Sequence, residues 1–165
     1  MLHGVSSWTE RSPAVAAMLN PALLAVVAGA ATEEYTRLSG EPLHYAYPYL
    51  VAPLVLHHDT RQALPRRTDS HLATWLLRNP VIAAGFPERA KSLTPAVTEG
   101  LRFALAHGSL SLTDSGHLIG GIADNARPAK VGDIAAIVAK SGFVGRWLTK
   151  LDKPATAFAL LGVRP

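Results

Sequence analysis

The chain has 165 residues, 48% of them hydrophobic and 17% charged, with a formal net charge of +4 and no cysteine. This length and apolar fraction describe one ordered domain with its own core and exclude a disordered tail, while the absent cysteine excludes disulfides, thiol catalysis and thiolate metal sites. A charged fraction below the usual value of about a quarter leaves less surface that must face water, which suits a subunit covered in part by a partner.

Met1 to Arg11 contains no basic segment followed by an apolar stretch, so no signal peptide is expected. The longest apolar run, Ala22 to Ala31, is roughly half of a membrane span. Together these features predict a soluble, cytoplasmic protein with no membrane contact. Ser12-Pro13 reads as an N-cap with proline at the first helical position, and Asn20-Pro21 repeats that chemistry. A helical hairpin is therefore expected over about 12–40, closed by Gly40. Leu23, Leu24, Val26 and Val27 lie too close together for a thin stripe and predict burial on most sides. Pro42 to Pro48 is a tyrosine-rich connector. Tyr49 to His58 is an apolar helix containing Pro53, and Thr60 to Thr68, with Arg61, Arg66 and Arg67 around Pro65, is a basic connector. Asp69 or Ser70 is expected to cap a helix with the face Leu72, Trp75 and Leu76, ended by Pro80. A further stretch begins at Pro87 to Lys91. Thr94-Pro95 then caps a longer helix with Val97, Leu101, Ala104 and Leu105 on one face.

His107-Gly108 closes that helix. Leu110 and Leu112 alternate with polar residues, Asp114-Ser115-Gly116 supplies a turn, and His117-Leu118-Ile119 begins a return strand. A helix, a glycine stop and a short hairpin are the layout of a winged helix, although other α+β folds share the unit. Here the recognition helix is about Thr94–His107 and the wing about Ser109–Ile122, in a core of about 49–122. After breaks at Gly120-Gly121 and Pro128, helix is expected over about Gly132–Lys140 and again over Phe143–Leu151. Phe143, Val144, Trp147, Leu148 and Leu151 form an apolar seam there. Pro154 opens a last apolar run, Ala155–Val163, that reads as helix or strand. The fold class expected is mainly α (α+β), with a C-terminal helical segment over about 130–165.

The sequence offers little chemistry. His57-His58-Asp59 resembles a metal-binding pair. Adjacent histidines on a helix nevertheless point about 100° apart, and a histidine at a helix C-terminus complements the dipole. There is no phosphate-binding loop, no dinucleotide fingerprint, no H-E-x-x-H and no G-x-S-x-G. No catalytic, cofactor-binding or metal-binding residue is assigned, and no enzyme activity is expected. The charge is uneven: residues 1–123 balance, whereas 124–165 carry Arg127, Lys130, Lys140, Arg146, Lys150, Lys153 and Arg164 against Asp124, Asp133 and Asp152. Arg127, Lys130, Lys140, Lys150 and Lys153 are candidates for weak, non-specific DNA-phosphate contact. The expected recognition helix carries only Arg102 beside Glu99, and the wing carries Asp114 without Lys or Arg, which argues for a protein-docking module over a base reader.

Two C-terminal stretches carry a resemblance. They are Gly142-Phe143-Val144-Gly145-Arg146-Trp147-Leu148-Thr149-Lys150 and Pro154-Ala155-Thr156-Ala157-Phe158-Ala159-Leu160-Leu161-Gly162-Val163-Arg164-Pro165. With Asn20-Pro21-Ala22, Tyr47-Pro48, Leu64-Pro65-Arg66, Trp75 and Asn79-Pro80, they make the chain similar to the middle component of bacterial three-component ABC ATPase systems. Leu161 stands where that family's pattern has a bulky aromatic. The resemblance implies a non-enzymatic adaptor between an ABC ATPase akin to chromosome-maintenance (SMC-like) ATPases and an effector-bearing subunit, in Lamassu-like defence against phage or plasmids. Non-specific DNA contact through the assembled complex belongs to the same expectation. A winged-helix DNA-binding regulator is the alternative. Arg146, Trp147, Phe158 and Arg164 are the interface candidates, because large aromatics and guanidinium forks combine buried area with directional bonds.

Overall fold

The computed structural model describes residues 12, 13, 16 and 19–164. The reading of Met1 to Arg11, and most of the helix expected from Ser12-Pro13, lie outside them. Pro13 and Ala16 are helical, and the amide of Ala16 donates to the Ser12 carbonyl (2.7 Å).

Helix α1 (Pro21–Ser39) is the centre of the molecule. The Asn20 side chain accepts from the Ala22 amide (2.8 Å), and Gly40 ends the helix in the left-handed region, donating to the Thr36 carbonyl (2.8 Å). Leu24, Val27, Ala28, Ala31 and Thr32 are buried, and the Thr32 hydroxyl is satisfied by the Ala28 carbonyl (2.8 Å). The tyrosine-rich connector contains strand β1 (Leu43–His44), too short for its alternation to be read from sequence. Helix α2 (Pro48–Leu56) follows, with Pro53 inside it and almost every side chain buried.

The expected basic connector contains a further helix, α3 (His58–Ala63). His57 does not serve the C-terminus of α2, as the sequence suggested. Its Nδ1 accepts from the Thr60 amide (3.3 Å) and contacts the Thr60 hydroxyl (2.8 Å), so it caps the start of α3. The C-terminus of α2 is served by Arg61, whose Nη1 donates to the Val55 carbonyl (2.6 Å) from a buried position. Helix α4 (Leu72–Arg78) starts after His71 rather than Asp69 or Ser70. Asp69 pairs with Arg67 (3.0 Å), and the Ser70 carbonyl accepts from Trp147 Nε1 (2.6 Å).

The two helices expected either side of Thr94 are one, α5 (Pro80–Ala106), running straight through Pro87 and Pro95. Its buried face of Phe86, Ala90, Ala96, Val97, Gly100, Leu101 and Ala104 packs on α1 and α2, and this packing outweighs the hydrogen bonds that the prolines remove. Leu105 is exposed, and Gly100 takes the buried position, directly against Leu24. The helix closes at Gly108 (φ 72°), with Ser109 N donating to Ala104 O and Gly108 N to Leu105 O.

Strands β2 (Leu110–Leu112) and β3 (His117–Gly120) form the expected hairpin, and β1 joins it in an antiparallel sheet of order β1-β3-β2. Leu43 pairs with Leu118 and Leu110 with Gly120, and all three leucines are buried against the helices. Leu112, at the hairpin tip, is exposed. A short 3-10 turn (Asp124–Ala126) leads to α6 (Asp133–Leu148), one helix where two were expected. Ser141 does not break it, because its hydroxyl bonds the Ile137 carbonyl (2.8 Å). Gly145 lets α6 lie directly on the backbone of Ala31. The final apolar run is helix α7 (Pro154–Leu160). Seven helices and one small sheet among the described residues make the fold mainly α, in the α+β class. One core cluster runs from Leu24 to Leu161.

Candidate partner-binding groove

A groove of about 620 Å³ opens where three remote segments meet. The β1–α2 junction contributes Tyr45, Ala46 and Tyr49, the N-terminal half of α5 contributes Pro87, Lys91 and Thr94, and the C-terminal segment contributes Phe158, Val163 and Arg164. Each wall is fixed locally. The amide of Tyr45 donates to the Gly116 carbonyl (3.1 Å), tying the junction to the hairpin turn, and the Tyr49 hydroxyl meets that of Thr98 on α5 (2.9 Å). His44 Nδ1 accepts from the Ala46 amide (3.2 Å). Burial, and then the nearby His117 ring, lower the pKa of His44, favouring the neutral imidazole that this acceptor role needs.

The third wall depends on Gly162. Helix α7 ends in a Schellman motif: Val163 N donates to Phe158 O (2.9 Å), Gly162 N donates to Ala159 O (3.2 Å), and Gly162 stands at φ 69°. A side chain at that φ is strained, and a Cβ there would also approach Pro87 to 3.3 Å. The glycine of the terminal signature thus turns Val163 and Arg164 back along α5. Phe158 is buried behind them and Tyr45 is half exposed. On the rim, the side chains of Glu88, Lys91 and Arg164 have neither a hydrogen bond nor an ion pair among the described residues. The groove can bury an apolar side chain of a partner and meet its carboxylates with Lys91 and Arg164.

Of the four interface candidates, Phe158 and Arg164 come together at this groove; Arg146 and Trp147 lie elsewhere. Trp147 is 4% exposed, stacked edge-on against Trp75 (5.5 Å), with its Nε1 on the Ser70 carbonyl. Arg146 donates to Glu34 on α1. Among the DNA-phosphate candidates, Arg127 is engaged by Glu33 (3.1 Å) and faces Asp124 (3.6 Å). The Lys140 ammonium lies 5.4 Å from the centre of the Phe143 ring, and Lys130, Lys150 and Lys153 are exposed. His57 is held by Thr60 and His58 touches Arg61 (3.4 Å); among the described residues no group of three or more His, Asp or Glu is placed to hold a metal. Tyr45, Tyr49 and Lys91 escaped the sequence reading. The tyrosine-rich connector was a signal for Tyr45 alone.

A model of the family described as ABC-three component (ABC-3C) system Middle Component 3 matches residues 8–165. No curated protein and no solved structure matches the chain.

Proposed function

Because the chain belongs to the family of ABC-three component system Middle Component 3, and is therefore one part of a multi-subunit system, we propose that it is the non-enzymatic adaptor bridging its ABC ATPase to an effector-bearing subunit. The ATPase is of the SMC-like kind, and the system acts in the bacterial cytoplasm against phage or plasmid DNA. The groove between α5 and the C-terminal segment carries this reading. It is an apolar hollow whose rim carries Lys91, Arg164 and Glu88 with unpaired side chains among the described residues, and one wall is set by the backbone turn at Gly162. Its chemistry suits an acidic segment of the partner that inserts an apolar side chain, since desolvated anchors ringed by polar contacts carry most interface energy.

The arrangement of the elements supports the same reading. A first helix, a short strand, further helices and a hairpin, with sheet order β1-β3-β2, favour reading this part of the chain as a winged helix. The helix that would read DNA bases in such a module offers Arg102 beside Glu99, and the hairpin has no Lys or Arg. We therefore read it as a winged helix used for docking proteins.

Co-expression with the ABC ATPase of the same system, followed by size exclusion, tests the proposal. The wild-type chain is expected to co-elute with the ATPase. Combined Lys91→Glu and Arg164→Glu substitutions should weaken the complex by about tenfold or more, the scale of an interface hot spot, while leaving the melting temperature unchanged. Separate elution of two folded wild-type proteins overturns the adaptor reading. Sequence-specific duplex binding by the isolated chain promotes the regulator in its place.

A further inference from the structure

The adjacent Arg66 and Arg67 meet Arg146, from far along the chain, at a second cleft of about 320 Å³ between the α3–α4 connector and α6. Its lining is Arg66, Arg67, Thr68, Asp69, Phe143 and Arg146. Arg66 is exposed and has neither a hydrogen bond nor an ion pair among the described residues. Arg67 pairs with Asp69, but the two side chains are 81% and 64% exposed, so the pair is weak and exchangeable. Arg146 uses Nη1 on Glu34, and its Nε and Nη2 have no partner among the described residues. Glu34 is already shared with Arg37 (2.8 Å), so one carboxylate is divided between two guanidinium groups. Lys140, above the same Phe143 ring, adds a cation beside the cleft.

We propose that this cleft grips the phosphodiester backbone of duplex DNA without reading its sequence. The wall is polar: Phe143, its one aromatic, is 7% exposed. A protein partner would need an apolar centre to bury, and a free nucleotide would need an aromatic face for its base; the cleft supplies neither. Convergent guanidinium forks with a hydroxyl beside them suit phosphate oxygens, which accept bidentate donors and carry no sequence information. The DNA contact therefore moves away from the residues that sequence favoured. Arg127 is engaged by Glu33 and Asp124, and none of Lys130, Lys150 and Lys153 lines this cleft. The proposal is independent of the apolar groove and of what docks there.

Titration of a labelled duplex of arbitrary sequence with the purified chain, from about 50 mM to about 200 mM salt, is the test. Three phosphate contacts predict an affinity loss of about 40-fold over that range, from a slope of about −0.9 per phosphate. Combined Arg66→Glu and Arg67→Glu substitutions should weaken binding about tenfold or more near 0.1 M salt and lower the slope by about one for each arginine removed, with the melting temperature unchanged. A Lys150→Ala, Lys153→Ala control should bind as the wild type does. No binding by the wild type near 50 mM salt overturns the proposal, as does an arginine variant within about twofold of wild type. Displacement of the duplex by polyglutamate as efficiently as by unlabelled duplex of equal charge reassigns the cleft to an acidic protein segment.

Discussion

Glu34 lies between Arg37, one turn further along α1, and Arg146 on α6. Its pKa is held well below the ordinary 4.5, at about 2, chiefly by the hydrogen bond from Arg37 and then by Arg146, against the opposing effect of burial. A carboxyl whose folded pKa is depressed contributes stability that is present above its unfolded pKa and lost as pH falls towards the folded one. Glu34→Gln should therefore remove part of the stability loss between pH 4.5 and about 2. At neutral pH it should cost about 1 kcal/mol or less, because the network is open to water. Denaturant melts at neutral pH and across that window check both. Arg146 was legible in the sequence as a charge-bearing fork and Trp147 as a large anchor, but their partners were not. Glu34 lies 112 positions from Arg146, and the acceptor for Trp147 is the carbonyl of Ser70, which has no side-chain signature.

At the scale of elements, ends were easier to read than interiors. Asn20, Gly40 and Gly108 act where their chemistry said they would, because caps are local. Pro87 and Pro95 read as breaks because an interior proline costs a helix about 3 kcal/mol. The helix persists because Phe86, Val97 and Leu101 are buried on either side of Pro95, and each large apolar side chain contributes about 1.5–3 kcal/mol when fully buried. Pro95 is itself exposed, so its penalty is not offset by packing of its own. Pro95→Ala should stabilise the protein by about 1–2 kcal/mol, the helix penalty less the advantage of about 1 kcal/mol that proline confers by stiffening the unfolded chain. A rise in the denaturation midpoint at unchanged slope is the expected reading. Strand β1 escaped notice because two residues have no period, and its pairing with β3 is set from across the chain.

For the molecule as a whole, the decisive contact is the close seating of α6 on α1, and the terminal signature encodes it. Gly142 and Gly145 face α1, while Val144, Trp147 and Leu148 fill the core beside it. Gly145→Ala gains up to about 1 kcal/mol in helix propensity, but its methyl would meet the backbone of Ala31, which cannot swing aside. Overpacking of that kind costs about 1–3 kcal/mol, so the variant should melt at a lower temperature. The groove was half legible. Phe158 and Arg164 stood out as a large anchor and a charged fork, whereas the opposite walls come from Tyr45 and Lys91, which only the folded chain brings to them.

The Schellman turn at Gly162 has a practical corollary for anyone handling the protein. The turn sends Val163 and Arg164 along the groove wall, so residues fused after this point emerge at its lip and lie in the path of whatever enters. A purification tag attached there would act as a tethered competitor at high local concentration, and a failed pull-down with such a fusion would report the tag rather than the protein. Internal labels on the exposed side of α6, or a tag removed before mixing, leave that entrance open.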